Sequence, residues 1–124
     1  MSLNKKTKDK KVNFEFNKEY LRVVTSKIAN NDTQFINNSF NEMHPADAAD
    51  IIEHLSQNDR ENLIKLNSFK VDPEVFIELN ESIQSEMIAY LSSESIVNIL
   101  KNLESDDAIK ILENVDEKDK KYNP

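Results

Sequence analysis

A hydrophobic period of twelve residues runs without insertion from Met43 to Val115 and limits what this chain can fold into. With units starting at 43, 55, 67, 79, 91 and 103, the position eight residues on holds Ile51, Leu63, Val75, Met87, Ile99 and Ile111. The next position holds Ile52, Ile64, Phe76, Ile88, Leu100 and Leu112. Unit ends hold Leu55, Asn67, Leu79, Leu91, Leu103 and Val115. Against a 38% apolar background, twelve hits in two columns have a chance on the order of 10⁻⁵ before register choice. So regular a repeat implies small stacked units, none able to bury its own face alone.

The 124 residues contain no glycine, where about 7% is usual. Glycine gives positive φ at little cost, so tight hairpins and bulges are hard to build without it. Helices joined by polar turns are the expected outcome. The same absence excludes a P-loop, a dinucleotide fingerprint, a nucleophile elbow and a calcium-binding helix-loop-helix, each of which needs glycine at a defined place. The chain also lacks cysteine, so neither disulfides nor thiolate metal sites are available, in keeping with a reducing compartment. No run approaches the ~18 apolar residues of a membrane span, and no signal peptide precedes the body. The length allows one domain with a modest core, soluble by itself or as part of something larger.

Charge is unevenly placed. Residues 1–30 carry eight basic and three acidic side chains, and residues 31–124 carry eight and twenty, giving +5 and −12. The basic run Lys5, Lys6, Lys8, Lys10, Lys11 has no interleaved aromatic for base stacking, so residues 1–13 read as a solvated, disordered leader. Met1-Ser2-Leu3 within it reads as an expression remnant. The acidic body argues against nucleic acid and for cations or basic surfaces as partners.

Helical spacing over 16–29 (Phe16, Tyr20, Val23, Val24, Ile28) predicts the longest helix. Asn30-Asn31-Asp32 breaks it, and Asp32 is placed to cap a short helix carrying Phe35, Ile36 and Phe40. In the repeat, apolar residues at i, i+3, i+4 and i+7, such as Ile96, Ile99, Leu100 and Leu103, give one helical face per unit. His44 before Pro45, Ser56 with Asp59, Asp72 before Pro73, Asn80, Ser92 or Ser93, and Ser105 read as helix starts. Each unit is then about nine helical residues, near 13 Å, too short to persist alone. The expected fold is an all-α superhelix, a solenoid of about eight short helices. Asn67 is the polar exception in its column, with Phe69 placed to substitute for it.

Little of this suggests catalysis. Asp47, Asp50 and His54 share a helical stripe with metal-compatible spacing, but a solvated flank has the same pattern. His44 and His54 are too far apart to pair on one helix turn, and His44 reads as a helix-start residue. Serines fit cap positions and lack a base. Asp106-Asp107 with Glu104 open the sixth unit, where a helix N-terminus favours carboxylates in any case. The chain reads as a non-enzyme.

The stretch Met43-His44-Pro45-Ala46-Asp47-Ala48-Ala49-Asp50-Ile51-Ile52-Glu53-His54-Leu55 resembles the opening of the cytosolic N-terminal domain of MgtE-type magnesium transporters and channels. The resemblance continues through the units and Ser105-Asp106-Asp107-Ala108 to about residue 119. It implies a right-handed α-superhelix over residues 14–119, with 120–124 as a tail leading toward CBS domains. In that family a connecting helix and a dimerising, magnesium-conducting membrane domain follow the CBS pair. The resemblance further implies a magnesium-sensing regulatory domain at the cytoplasmic face of the cell membrane, not itself inserted. Mg²⁺ bridges it to the CBS domains of the same polypeptide to hold the pore closed. It assigns Asp106 as a bridging ligand with Asp107 beside it, and Glu74 as a further acidic contributor. Lys110 stands where the family often has an acid, which would weaken one site. A helical-repeat adaptor such as the flagellar motor-switch protein FliG, which shares a Glu-His-Pro opening, is the alternative. Met43 stands before His44 here, and Asp47 and Asp106-Asp107 fit the transporter pattern better.

Overall fold

The computed structural model describes residues 18–66 and 69–122, and every regular element among them is helical. A first helix, α1, covers residues 18–29. It is followed by α2 (Thr33–Glu42), α3 (Pro45–His54), α4 (Gln57–Lys65), α5 (Pro73–Glu78), α6 (Glu81–Tyr90), α7 (Ser93–Lys101) and α8 (Ser105–Tyr122). The basic run 5–11, Phe14, Phe16 and Asn67 lie outside the described residues.

The connections explain how the chain manages without glycine. Helices α3, α5 and α6 each end on a leucine in extended conformation, with Leu55, Leu79 and Leu91 at φ −67 to −78 and ψ 147 to 154. The capping residue of the next helix follows at once, also extended: Ser56, Asn80 and Ser92. Met43-His44 joins α2 to α3 in the same way. A two-residue linker with both members in the β region turns the chain sharply without positive φ, so the usual reason for a C-terminal glycine is gone. The linker leucines are 4–7% exposed and act as core residues as well.

Positive φ is needed at one place among the described residues, Asn31 at φ 56. Here the Asp32 amide donates to the Lys27 carbonyl (2.9 Å) and the Asn31 amide to that of Ile28 (3.0 Å). This is a Schellman closure of α1, and asparagine is the residue that tolerates the left-handed position next best after glycine. Asp32 then caps α2 by accepting from the Phe35 amide at 3.2 Å.

Most of the helix-start residues do what the sequence assigns them. His44 Nδ1 accepts from the Ala46 amide, Ser56 Oγ from Asp59, Asp72 from Glu74, Asn80 from Ile83 and Ser92 from Ser95. Each is worth about 1 kcal/mol, a large share for helices of six to ten residues. Ser105 is different: it is the first helical residue of α8, and the Glu104 carbonyl accepts from the Ala108 amide.

Packing follows an alternating order. Helix α3 lies against α5, α4 against α6, α5 against α7, and α8 against both α6 and α7. All six members of the first column, from Ile51 to Ile111, are at most 5% exposed. They join one core that also takes Val24 and Ile28 of α1 and Ile36 of α2. The second column is less uniform. Ile52, Phe76 and Ile88 are buried, Ile64 and Leu100 half-buried, and Leu112 is 46% exposed. No later helix lies over α8 among the described residues.

Two further expectations are corrected. Among the described residues the longest helix is α8, at 18 residues, because its outer turns continue past the register of the shorter units. It runs through Tyr122. Val23 of α1 is 41% exposed, while Val24 and Ile28 carry that helix's burial. Phe69 does turn inward: half-buried, it meets Phe40 edge-on at 5.9 Å and 79°.

The period slips once. Helix starts fall at Gln57, Pro73 and Glu81, sixteen and then eight apart, although helix ends stay close to the twelve-residue register. Helix α5 therefore begins about one turn late and has six residues.

Candidate functional site

Glu74 lies in the first turn of α5, exposed, just after the capping Asp72. Asp106, exposed, and Asp107, half-buried, occupy the first turn of α8. All three stand where the helix dipole favours negative charge. None forms an ion pair among the described residues. Their oxygens are hard donors of the kind magnesium takes, one or two carboxylates with water completing the shell. Among the described residues no three histidine or acidic side chains converge on one point suited to a metal ion. Glu74 on α5 and the Asp106-Asp107 pair on α8 thus form no closed cage among the described residues.

Asp47, Asp50 and His54 do not form a metal cluster either. His54 Nδ1 donates to the Asp50 carbonyl at 2.7 Å and lies 3.6 Å from its Oδ1, so the imidazole is engaged along its own helix. His44 is engaged as the α3 cap.

Sequence reasoning missed a polar network that holds the helices in register. Arg60 of α4 is 8% exposed. Its guanidinium donates to the Ile52 carbonyl at 3.3 Å and to the Glu53 and Leu55 carbonyls at the end of α3. Through Nε and Nη2 it also makes two 2.9 Å bonds to Glu86 of α6. Tyr90 Oη donates to Glu86 at 2.9 Å. The hydrogen bonds from Arg60 hold the Glu86 carboxyl below its usual range against the opposing effect of burial, with a further contribution from Tyr90. Burial is the main reason the Tyr90 phenol is raised. Glu53 closes the circuit by accepting from the Asn80 amide at 2.8 Å, tying α3 to the start of α6.

Gln84 repeats the device. It is 6% exposed and donates to the Phe76 carbonyl at 3.0 Å. Each residue reaches back eight positions, to the second hydrophobic column, and adds a second donor to a helix-end carbonyl that already accepts the amide of the capping leucine. The signal was present in the sequence: five residues into each unit stand Ala48, Arg60, Asp72, Gln84, Ile96 and Ala108. The two long donors are one helix pair apart.

A cleft of about 620 Å³ lies elsewhere, between the segment before α5 and the outer side of α7, and none of the three acids lines it. No described helix is long and apolar enough to cross a membrane.

The geometry thus defines an all-helical domain with a structural polar interior, in which Glu74, Asp106 and Asp107 take part in no ion pair among the described residues. Residues 43–122 match the family model described as the MgtE intracellular N domain. The match spans well over half of the chain and begins at the first unit of the repeat, and the chain belongs to this family. No curated protein and no solved structure matches it significantly.

Proposed function

We propose that this chain is the magnesium-sensing regulatory domain of a magnesium transporter or channel. In this reading the stacked helices form a right-handed superhelix at the cytoplasmic face of the membrane. The domain docks on CBS domains of the same polypeptide, within a dimer made through the CBS and membrane domains. The observation that carries the reading is the family match over the whole repeat, joined by the exposed, ion-pair-free carboxylates of Glu74 and Asp106.

The physics is that of a charge-controlled contact. The body carries a net −12 over residues 31–124, so it repels another acidic surface at short range. When bound, magnesium supplies a shared dication that turns this repulsion into attraction. Glu74, Asp106 and Asp107 would hold it from this side, and docking then follows cation concentration through differential affinity. Lys110, exposed on α8 three residues after Asp107, lowers the local negative potential and weakens one site. A single surface offers few ligands, so the isolated domain binds magnesium weakly, at about millimolar or worse.

The test uses the protein in which this domain is joined to its CBS partner. Protease protection of the inter-domain linker is titrated with magnesium for wild type and Asp106→Ala. The reading expects the variant's curve to move to higher magnesium. Coincident curves would reduce Asp106 to a helix-start charge and remove the sensor assignment.

A further inference from the structure

The slip in the repeat leaves a gap beside α7. Where neighbouring units place a helix start, residues 69–72 are non-helical and α5 begins only at Pro73. A helical turn, ~5.4 Å long and ~10 Å across, fills roughly 400 Å³. The cleft at this place is about 620 Å³. Its apolar lining includes Phe69, Val71 and Ile99, together with Val97, which is 52% exposed. Lys70 and Lys101 also line it. Neither makes an ion pair among the described residues, whereas Arg60 and Lys65 are both paired.

We propose that this cleft is a docking groove for a short, extended, acidic peptide segment carrying a bulky apolar side chain. Its shape favours an elongated occupant. The lining follows α7 from Ser92 to Lys101, roughly 13 Å, the length of about four extended residues. Its chemistry favours apolar contact flanked by carboxylates. Phe69 and Val97 offer uncovered apolar area in a lining that also holds two lysines, which make no ion pair among the described residues of a body that is otherwise strongly acidic. Glu94, also in the lining, stands opposite in sign and orients the segment with its carboxylates toward Lys70 and Lys101. Distant carboxylates of the body are screened beyond ~8 Å at physiological ionic strength, so the local lysines set the charge the segment meets. This contact needs no metal and stands apart from the magnesium reading.

The probe is a capped synthetic hexapeptide with a central phenylalanine-leucine pair between paired glutamates. It is titrated into the isotopically labelled chain in the presence of EDTA and followed by amide and methyl NMR shifts. The expected shifts concentrate on Phe69, Val71, Val97 and Lys101. Lys70→Gln with Lys101→Gln weakens binding about fivefold or more, the size two exposed ion pairs allow. Lys110→Gln, which removes a lysine outside the cleft, leaves affinity unchanged. The proposal is overturned by shifts spread over the whole surface, by no shift at the cleft, by equal weakening from Lys110→Gln, or by equal binding of the peptide with glutamines for glutamates. Because EDTA is present throughout, failure here leaves the Asp106→Ala titration unaffected, and the reverse also holds.

Discussion

Arg60 and Glu86, twenty-six residues apart, meet through two parallel 2.9 Å hydrogen bonds with side chains only 10% and 19% exposed. The same guanidinium satisfies carbonyls at the end of α3. One side chain therefore fixes the spacing of three helices, each too short to be stable alone. Arg60→Ala removes the pair, the carbonyl caps and the packing of the stem, and is expected to cost about 3–5 kcal/mol. Urea unfolding of the purified domain measures it. A loss below about 1 kcal/mol would mean that the network is incidental to stability.

The pair also sets an acid limit. Glu86 has its carboxyl lowered in the folded state from an ordinary 4.5. The unfolded chain therefore binds the proton first as pH falls, and stability rises with pH in that window. The stabilisation is fully present above about pH 4.5 and is lost as pH falls through the folded value. Glu86→Gln should be less stable than wild type at neutral pH, with the difference narrowing toward pH 3. A gap that stays constant between pH 7 and pH 3 would contradict the ion-pair account.

The two hydrophobic columns separate in a measurable way. Ile99 is 2% exposed and Leu112 is 46% exposed. Ile99→Ala should cost about 2–4 kcal/mol, while Leu112→Ala should fall within about 0.5 kcal/mol of wild type. Comparable losses at both sites, read by thermal or denaturant unfolding, would show that α8 is covered in solution by something beyond the described helices.

His44 accepts a hydrogen bond at Nδ1 from the Ala46 amide at 3.3 Å. The position needs a side-chain acceptor, so His44→Asn should retain most of the cap and His44→Ala should lose about 0.5–2 kcal/mol. Equal stability of all three proteins would assign the start of α3 to Pro45 alone.

The first column, the caps and the all-helical character of the described residues were legible because each depends on local sequence: period, side-chain length and backbone dihedral preference. Leu112 was misjudged because its column says which way a residue faces, but not whether a later helix lies over it. The start of α5 was legible in Asp72-Pro73, a cap followed by a first-turn proline, but the twelve-residue period alone gives no sign that this unit has a shorter helix than its neighbours. Arg60 and Gln84 were overlooked because a charged or amide residue within a hydrophobic repeat looks like surface until the helix-end carbonyls it reaches are in view. For Glu74, Asp106 and Asp107 the sequence places each at a helix start. Their role depends on a second surface, so no single-chain pattern can specify it.

The extended leucine-plus-cap linkers carry a consequence for how such a chain tolerates length changes. With two residues between helices and no left-handed position to absorb slack, adding one residue within a helix turns everything after it by about 100°. It would carry the buried column to the wrong side of every later unit. Adding a whole unit of twelve returns each following face to its place and lengthens the stack. Length variation in a domain built this way should therefore be quantised. Single-residue changes would collect in the irregular stretch before α5, where the register already bends.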